Sequence, residues 1–138
     1  MSEAISRLTD NGPYQVLVET GHHAFVMDEP VAVGGFDTGP SPFDLLCSAL
    51  ASCTLMTVRL YAVRKGWILD QLSVRVAHRK EAGGKDRFET TLELGDVTEE
   101  QRERLLYIAQ RCPVHLLLEQ GADVPTVVAS EAGATLAV

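Results

Sequence analysis

The spacing of hydrophobic positions changes several times along the chain, and each change marks an element. Residues 14–18 (Tyr14-Gln15-Val16-Leu17-Val18) are β-prone, and Gly21-His22-His23 reads as a turn before Ala24-Phe25-Val26-Met27. A short Val31-Ala32-Val33 segment ends at Gly34-Gly35, and Phe36 to Gly39 is loop-like. Ser41-Pro42-Phe43-Asp44 then predicts a helix start. Ser41 can cap free N–H groups, Pro42 suits the first helical position, and Asp44 completes the box and favours the positive dipole end. The helix should run to about Arg64, with Lys65 and Gly66 as its stop. Apolar or small residues occupy nearly all its faces, which predicts a central helix covered on several sides.

Beyond it the period returns to two. Residues 72–78 and 87–94 alternate around Ala82-Gly83-Gly84-Lys85, predicting a hairpin with Phe88, Leu92 and Leu94 on its buried face. Thr98-Glu99-Glu100-Gln101 is a second capping box, and the helix it opens should break at Cys112-Pro113. A short helix follows to Glu119, stopped by Gly121, and Pro125-Thr126-Val127-Val128 is a last strand candidate. The order is strands, central helix, hairpin, broken helix, strand: an α+β fold.

Composition narrows the function. The chain has 138 residues, and one domain over 1–138 is expected. A chain of this size buries roughly 70% of the surface that it exposes when unfolded, enough to fold without metal or disulfide staples. The formal net charge is −7 without a basic block, which disfavours nucleic acid. No basic segment followed by an apolar core opens the chain, and residues 41–58 read as a core helix rather than a membrane span. Three cysteines without a CxxC argue against a disulfide framework or a zinc ribbon, so a cytoplasmic location is expected.

The candidate chemistry lies with the thiols. Cys53, inside the central helix, reads alone as a small core hydrophobe before a nucleophile. Cys47 stands six residues earlier, about 240° round the helix, so those two do not share a disulfide. Cys112 precedes Pro113 at the expected N-cap of a short helix, where free N–H groups and the dipole stabilise a thiolate; a capping and a reactive role are both open there. His115 is one turn on and could pair with that thiolate or simply pack. His22 and His23 form the other imidazole cluster, but no ligand pair has metal-finger spacing, so neither a metal nor another cofactor is expected.

Three stretches together resemble the OsmC-like family of osmotically induced proteins and organic hydroperoxide reductases. They are Gly39-Pro40-Ser41-Pro42-Phe43-Asp44-Leu45-Leu46, Ala49-Leu50-Ala51-Ser52-Cys53-Thr54 and Arg111-Cys112-Pro113-Val114-His115. Arg64-Lys65-Gly66-Trp67 and the Gly-rich hairpin fit the same pattern. The resemblance implies an intertwined homodimer with buried central helices packed on antiparallel sheets and sites at the dimer interface. It also implies a peroxidatic Cys53 and a resolving Cys112, cycling through a sulfenic acid and a disulfide that a dithiol reductant reopens.

The hydroperoxide reductases carry a Glu after the helix-opening Pro, where this chain has Phe43, and an Arg in an early Gly-rich turn, where it has Gly21-His22-His23. Asp44, His22, His23 and His115 are therefore the candidate supporting groups. A neutral imidazole gives no permanent cation, so support for the Cys53 thiolate should be weaker and pH-dependent. Phe43, Leu50 and Met56 are the expected pocket residues, and apolar surroundings favour alkyl or lipid hydroperoxides. The alternative is a non-enzymatic protein of the same fold that binds an apolar small molecule at the interface.

Overall fold

The computed structural model describes residues 1–129. Three strands open the chain: β1 (Ile5–Leu8), β2 (Val16–Thr20) and β3 (His23–Met27) form an antiparallel sheet in sequence order. β1 was not expected, because Ile5-Ser6-Arg7-Leu8 lacks a period of two. All four of its residues are exposed, and pairing with β2 alone holds it in place. Val31–Val33 forms a 3-10 turn.

A buried acid shapes the loop that follows. The Asp28 carboxylate accepts from the Thr38 hydroxyl at 2.6 Å, from the backbone N–H groups of Thr38 and Phe36, and from Glu29 N–H at 2.8 Å. The Thr38 hydroxyl above all holds the Asp28 carboxyl below its usual range, while burial opposes it. This loop delivers the chain to Gly39, where any Cβ would overlap the Val26 carbonyl.

Helix α1 (Pro42–Lys65) starts where the sequence places it. Ser41 Oγ accepts from Asp44 N–H at 3.2 Å, and the Asp44 carboxylate accepts from Ser41 N–H at 2.9 Å. Gly66 ends it at φ 69°, a left-handed conformation that glycine adopts without steric cost. The antiparallel hairpin β4 (Ser73–Lys80) and β5 (Asp86–Glu93) then packs on α1. Val74 pairs with Leu92, Val76 with Thr90 and His78 with Phe88, so these six share the inward face, as the alternation predicts for Phe88 and Leu92. Helices α2 (Glu99–Ala109) and α3 (Pro113–Gln120) cover α1 from another side.

The main core cluster joins Val58 and Ala62 of α1 to Leu69, Leu94, Leu105 and Ala109, while Val18 of the first sheet is buried outside it. Two expectations change here. The central helix is buried along one face only, through Leu50, Thr54, Val58 and Ala62. Ala49, Met56, Leu60 and Val63 fall within about 60° of one another on the opposite side. That stripe faces solvent: Met56 is 66% exposed, Leu60 53% and Val63 57%. Its length and apolar composition alone would let α1 cross a bilayer, but its packing against β4, α2 and α3 is that of a helix within a folded protein. Residues 125–128 are not a strand: they are exposed and pair with nothing among the described residues. A β-prone segment becomes a strand only where a neighbour offers hydrogen bonds.

Leu105 has no exposed surface and no polar atom to compensate its loss. Leu105→Ala should lower unfolding free energy by about 2–5 kcal/mol, read from urea denaturation midpoints at unchanged m.

Candidate functional site

The site forms where α1 meets the start of α3. Cys112 is the N-cap of α3, as its place before Pro113 predicts, and its Sγ accepts from the backbone N–H of His115 at 3.3 Å. The sulfur is wholly buried. Thr54, on the buried face of α1, places its hydroxyl 3.4 Å from that Sγ.

Cys53 stands on the flank of α1 between the buried face and the solvent-facing stripe. It is half-buried, and its thiol lies against Cys112, the Val114 backbone and the Thr57 hydroxyl. Two thiols from distant parts of the chain therefore meet. Burial pushes the Cys53 thiol above its ordinary value. The Val114 N–H pulls the other way, the adjoining Cys112 pushes it further up, and the Thr57 hydroxyl pulls it back. No cation appears among these influences to favour the thiolate. Cys47 is also a free thiol, half-buried on another side of the helix.

The other candidates are distributed differently. Asp44 is bound up in the α1 cap, and the Ser41 backbone and side chain hold its carboxyl below the usual range. It stands about 13 Å along the axis from Cys53 and half a turn round, so it does not touch the thiol. His115 contributes its backbone N–H, while its imidazole pairs with Glu119 at 3.0 Å along α3. His22 is in the β2–β3 turn and His23 begins β3; both are exposed on the first sheet, away from the cysteines of their own chain.

Leu50 and Met56 stand one turn before and after Cys53, but Leu50 is buried and Met56 faces solvent. Phe43 is further off, stacked on His78 with ring centroids 4.4 Å apart. One chain therefore does not gather these three into a pocket. A groove of about 740 Å³ runs along β5 beside α2 and α3, with Leu50 and His115 in its wall and neither cysteine.

The sequence reading missed Thr54 and His78. Thr54 had no signal beyond standing next to Cys53. His78 had one, since it continues the inward alternation of Val74 and Val76; it is sandwiched between Phe43 and Phe88 and pairs with Asp86 at 2.7 Å.

Solved structures share this architecture. An OsmC-like protein from Mycoplasma pneumoniae aligns with a TM-score of 0.68 at 20% identity, covering 86% of this chain and 87% of that one. The organic hydroperoxide resistance protein OhrB of Bacillus subtilis aligns at 0.57 and 20% identity, over 84% and 88%. An OsmC-like protein of unknown function from Vibrio cholerae aligns at 0.64 and 13% identity, over 84% and 92%. At such identities the likeness is one of fold. No curated protein sequence matches the chain. Residues 35–127, which include α1, the hairpin and both cysteines of the pair, match the family described as OsmC-like protein. The chain belongs to the OsmC-like family.

Proposed function

We propose that this protein is a thiol-dependent peroxidase that reduces organic hydroperoxides and works as a homodimer. The observation that carries the reading is the meeting of Cys53 and Cys112 at the junction of α1 and α3. Cys53, the more accessible of the two, attacks the peroxide O–O bond as a thiolate, releasing the alcohol and becoming a sulfenic acid. Cys112 then attacks that sulfur, water leaves, and a disulfide forms. A dithiol reductant returns both sulfurs to thiols and is itself oxidised. No cofactor takes part. The three free thiols suit a reducing compartment such as the cytoplasm.

Homodimerisation accounts for what one chain leaves open. Among the described residues the apolar stripe of α1 is exposed, the first sheet lies outside the main core cluster, and residues 125–128 are exposed and pair with no strand. Intertwining two chains would cover the stripe with apolar surface, close a pocket over Cys53 between Leu50 and Met56, and bring His22 and His23 of the first sheet toward the other chain's thiols. An apolar pocket favours alkyl or lipid hydroperoxides over hydrogen peroxide by about tenfold or more for a few buried methylenes.

With dithiothreitol as reductant, the protein should turn over cumene hydroperoxide faster than hydrogen peroxide, and Cys53→Ser should fall to background. Because burial pushes the Cys53 thiol up and only its thiolate fraction reacts, the rate should climb as pH rises from 7 toward 9. Turnover equal to that of Cys53→Ser would refute the enzyme and leave the apolar binder, whose ligand Cys53→Ala would retain. Light scattering should give twice the chain mass, and Leu60→Glu with Val63→Glu should shift it toward one chain. A monomer in the unmodified protein would contradict the interface.

A further inference from the structure

Three serine and threonine hydroxyls of helix α1 have hydrogen-bond partners among the described residues, and they do not behave alike. Ser48 donates to the carbonyl of Asp44 at 2.7 Å, and Thr57 donates to that of Cys53 at 2.7 Å. This return to the residue four positions back is the ordinary use of a helical hydroxyl. Thr54 departs from it. The residue is 1% exposed, and the one partner of its hydroxyl among the described residues is Cys112 Sγ. A buried hydroxyl thus uses its hydrogen-bonding capacity on a sulfur rather than on a carbonyl one turn away.

That sulfur also accepts from the His115 N–H at the α3 N-cap. Once Cys112 carries a negative charge, the hydroxyl can only donate, and two fixed donors then converge on one buried sulfur. Cys53 is addressed by the Val114 N–H and borders the Thr57 hydroxyl, whose proton goes to the Cys53 carbonyl, so it has one fixed donor against two at Cys112. The asymmetry bears on the step in which a disulfide between them is opened, because exchange is faster when the departing sulfur is better stabilised.

We propose that Thr54 is a positioning residue that, with the His115 N–H, makes Cys112 the leaving sulfur when a thiol reductant opens the Cys53–Cys112 disulfide. The inference rests on the two cysteines acting as one redox pair. An external thiolate attacks Cys53 Sγ, a mixed disulfide forms there, the Cys53–Cys112 bond breaks, and its electron pair passes to Cys112 Sγ. A second reductant thiolate then attacks the external sulfur of the mixed disulfide. The mixed-disulfide bond breaks, Cys53 leaves with its electron pair, and the reductant ends as its own disulfide. The direction of attack agrees with access, since Cys53 is half-buried and Cys112 is wholly buried. Thr54 adds rate to a direction that access permits.

The test begins from disulfide made with diamide and verified by intact mass, so it needs no peroxidase activity. Reduction by β-mercaptoethanol is followed in time, quenched with iodoacetamide and mapped by peptide mass. The unmodified protein should carry the mercaptoethanol adduct on Cys53 and the alkyl group on Cys112. Thr54→Val should open about tenfold more slowly, and Thr54→Ser should restore the rate. Thr54→Ala repeats the measurement if Val disturbs the fold, which circular dichroism reports. Rates within twofold of the unmodified protein for folded Val or Ala variants would overturn the proposal. So would an adduct on Cys112 in the unmodified protein, which needs no variant. If diamide forms no Cys53–Cys112 bond, the redox pair itself is refuted and the inference goes with it.

Discussion

The chain is organised around a long helix that it buries on one side only. Leu50, Thr54, Val58 and Ala62 lie one turn apart and anchor α1 to the hairpin and to α2 and α3. The opposite stripe, with Met56, Leu60 and Val63, stays open to water. Apolar area left in water forgoes roughly 25 cal/mol for each Å² that a partner would cover. This one-sided packing sets the position of everything else. It fixes Thr54 beneath the start of α3, leaves Cys53 on the flank between covered and uncovered faces, and makes the environment of that thiol depend on what covers the stripe.

Geometry and acidity pull in different directions at the site. The fold brings two thiols together, which favours exchange between them, but it raises the energy of the thiolate at the more accessible one. Phe43, which follows the helix-opening Pro42, stacks on His78, and the nearest acid, Asp44, caps the helix. Among the described residues no cation acts on the Cys53 thiol. The two sulfurs are consequently unequal: Cys112 has two donors and no solvent, whereas Cys53 has the Val114 N–H, partial solvent access and a thiol for a neighbour.

Much of the fold was legible because its signals are local. Both capping boxes, the Gly66 stop, the Cys112-Pro113 break and the hairpin face depend on residues within one or two turns of each other, and each formed as its residues dictate. The misreadings depend on distant partners. β1 is a strand because β2 lies beside it, and 125–128 is not because no strand among the described residues does. An apolar helix looks central whether its cover comes from its own chain or from another. At the site, the Cys112 cap was readable from Pro113, whereas Thr54 takes its meaning from a sulfur far away in sequence.

The central claim is that Cys53 and Cys112 form one redox pair, and intact mass with peptide mapping after one equivalent of cumene hydroperoxide tests it most directly. Starting from reduced protein, the account predicts a rapid loss of two hydrogens, mapped to a Cys53–Cys112 bond with Cys47 still free. Thiols that remain reduced after prolonged exposure, or a bond that includes Cys47, would contradict it.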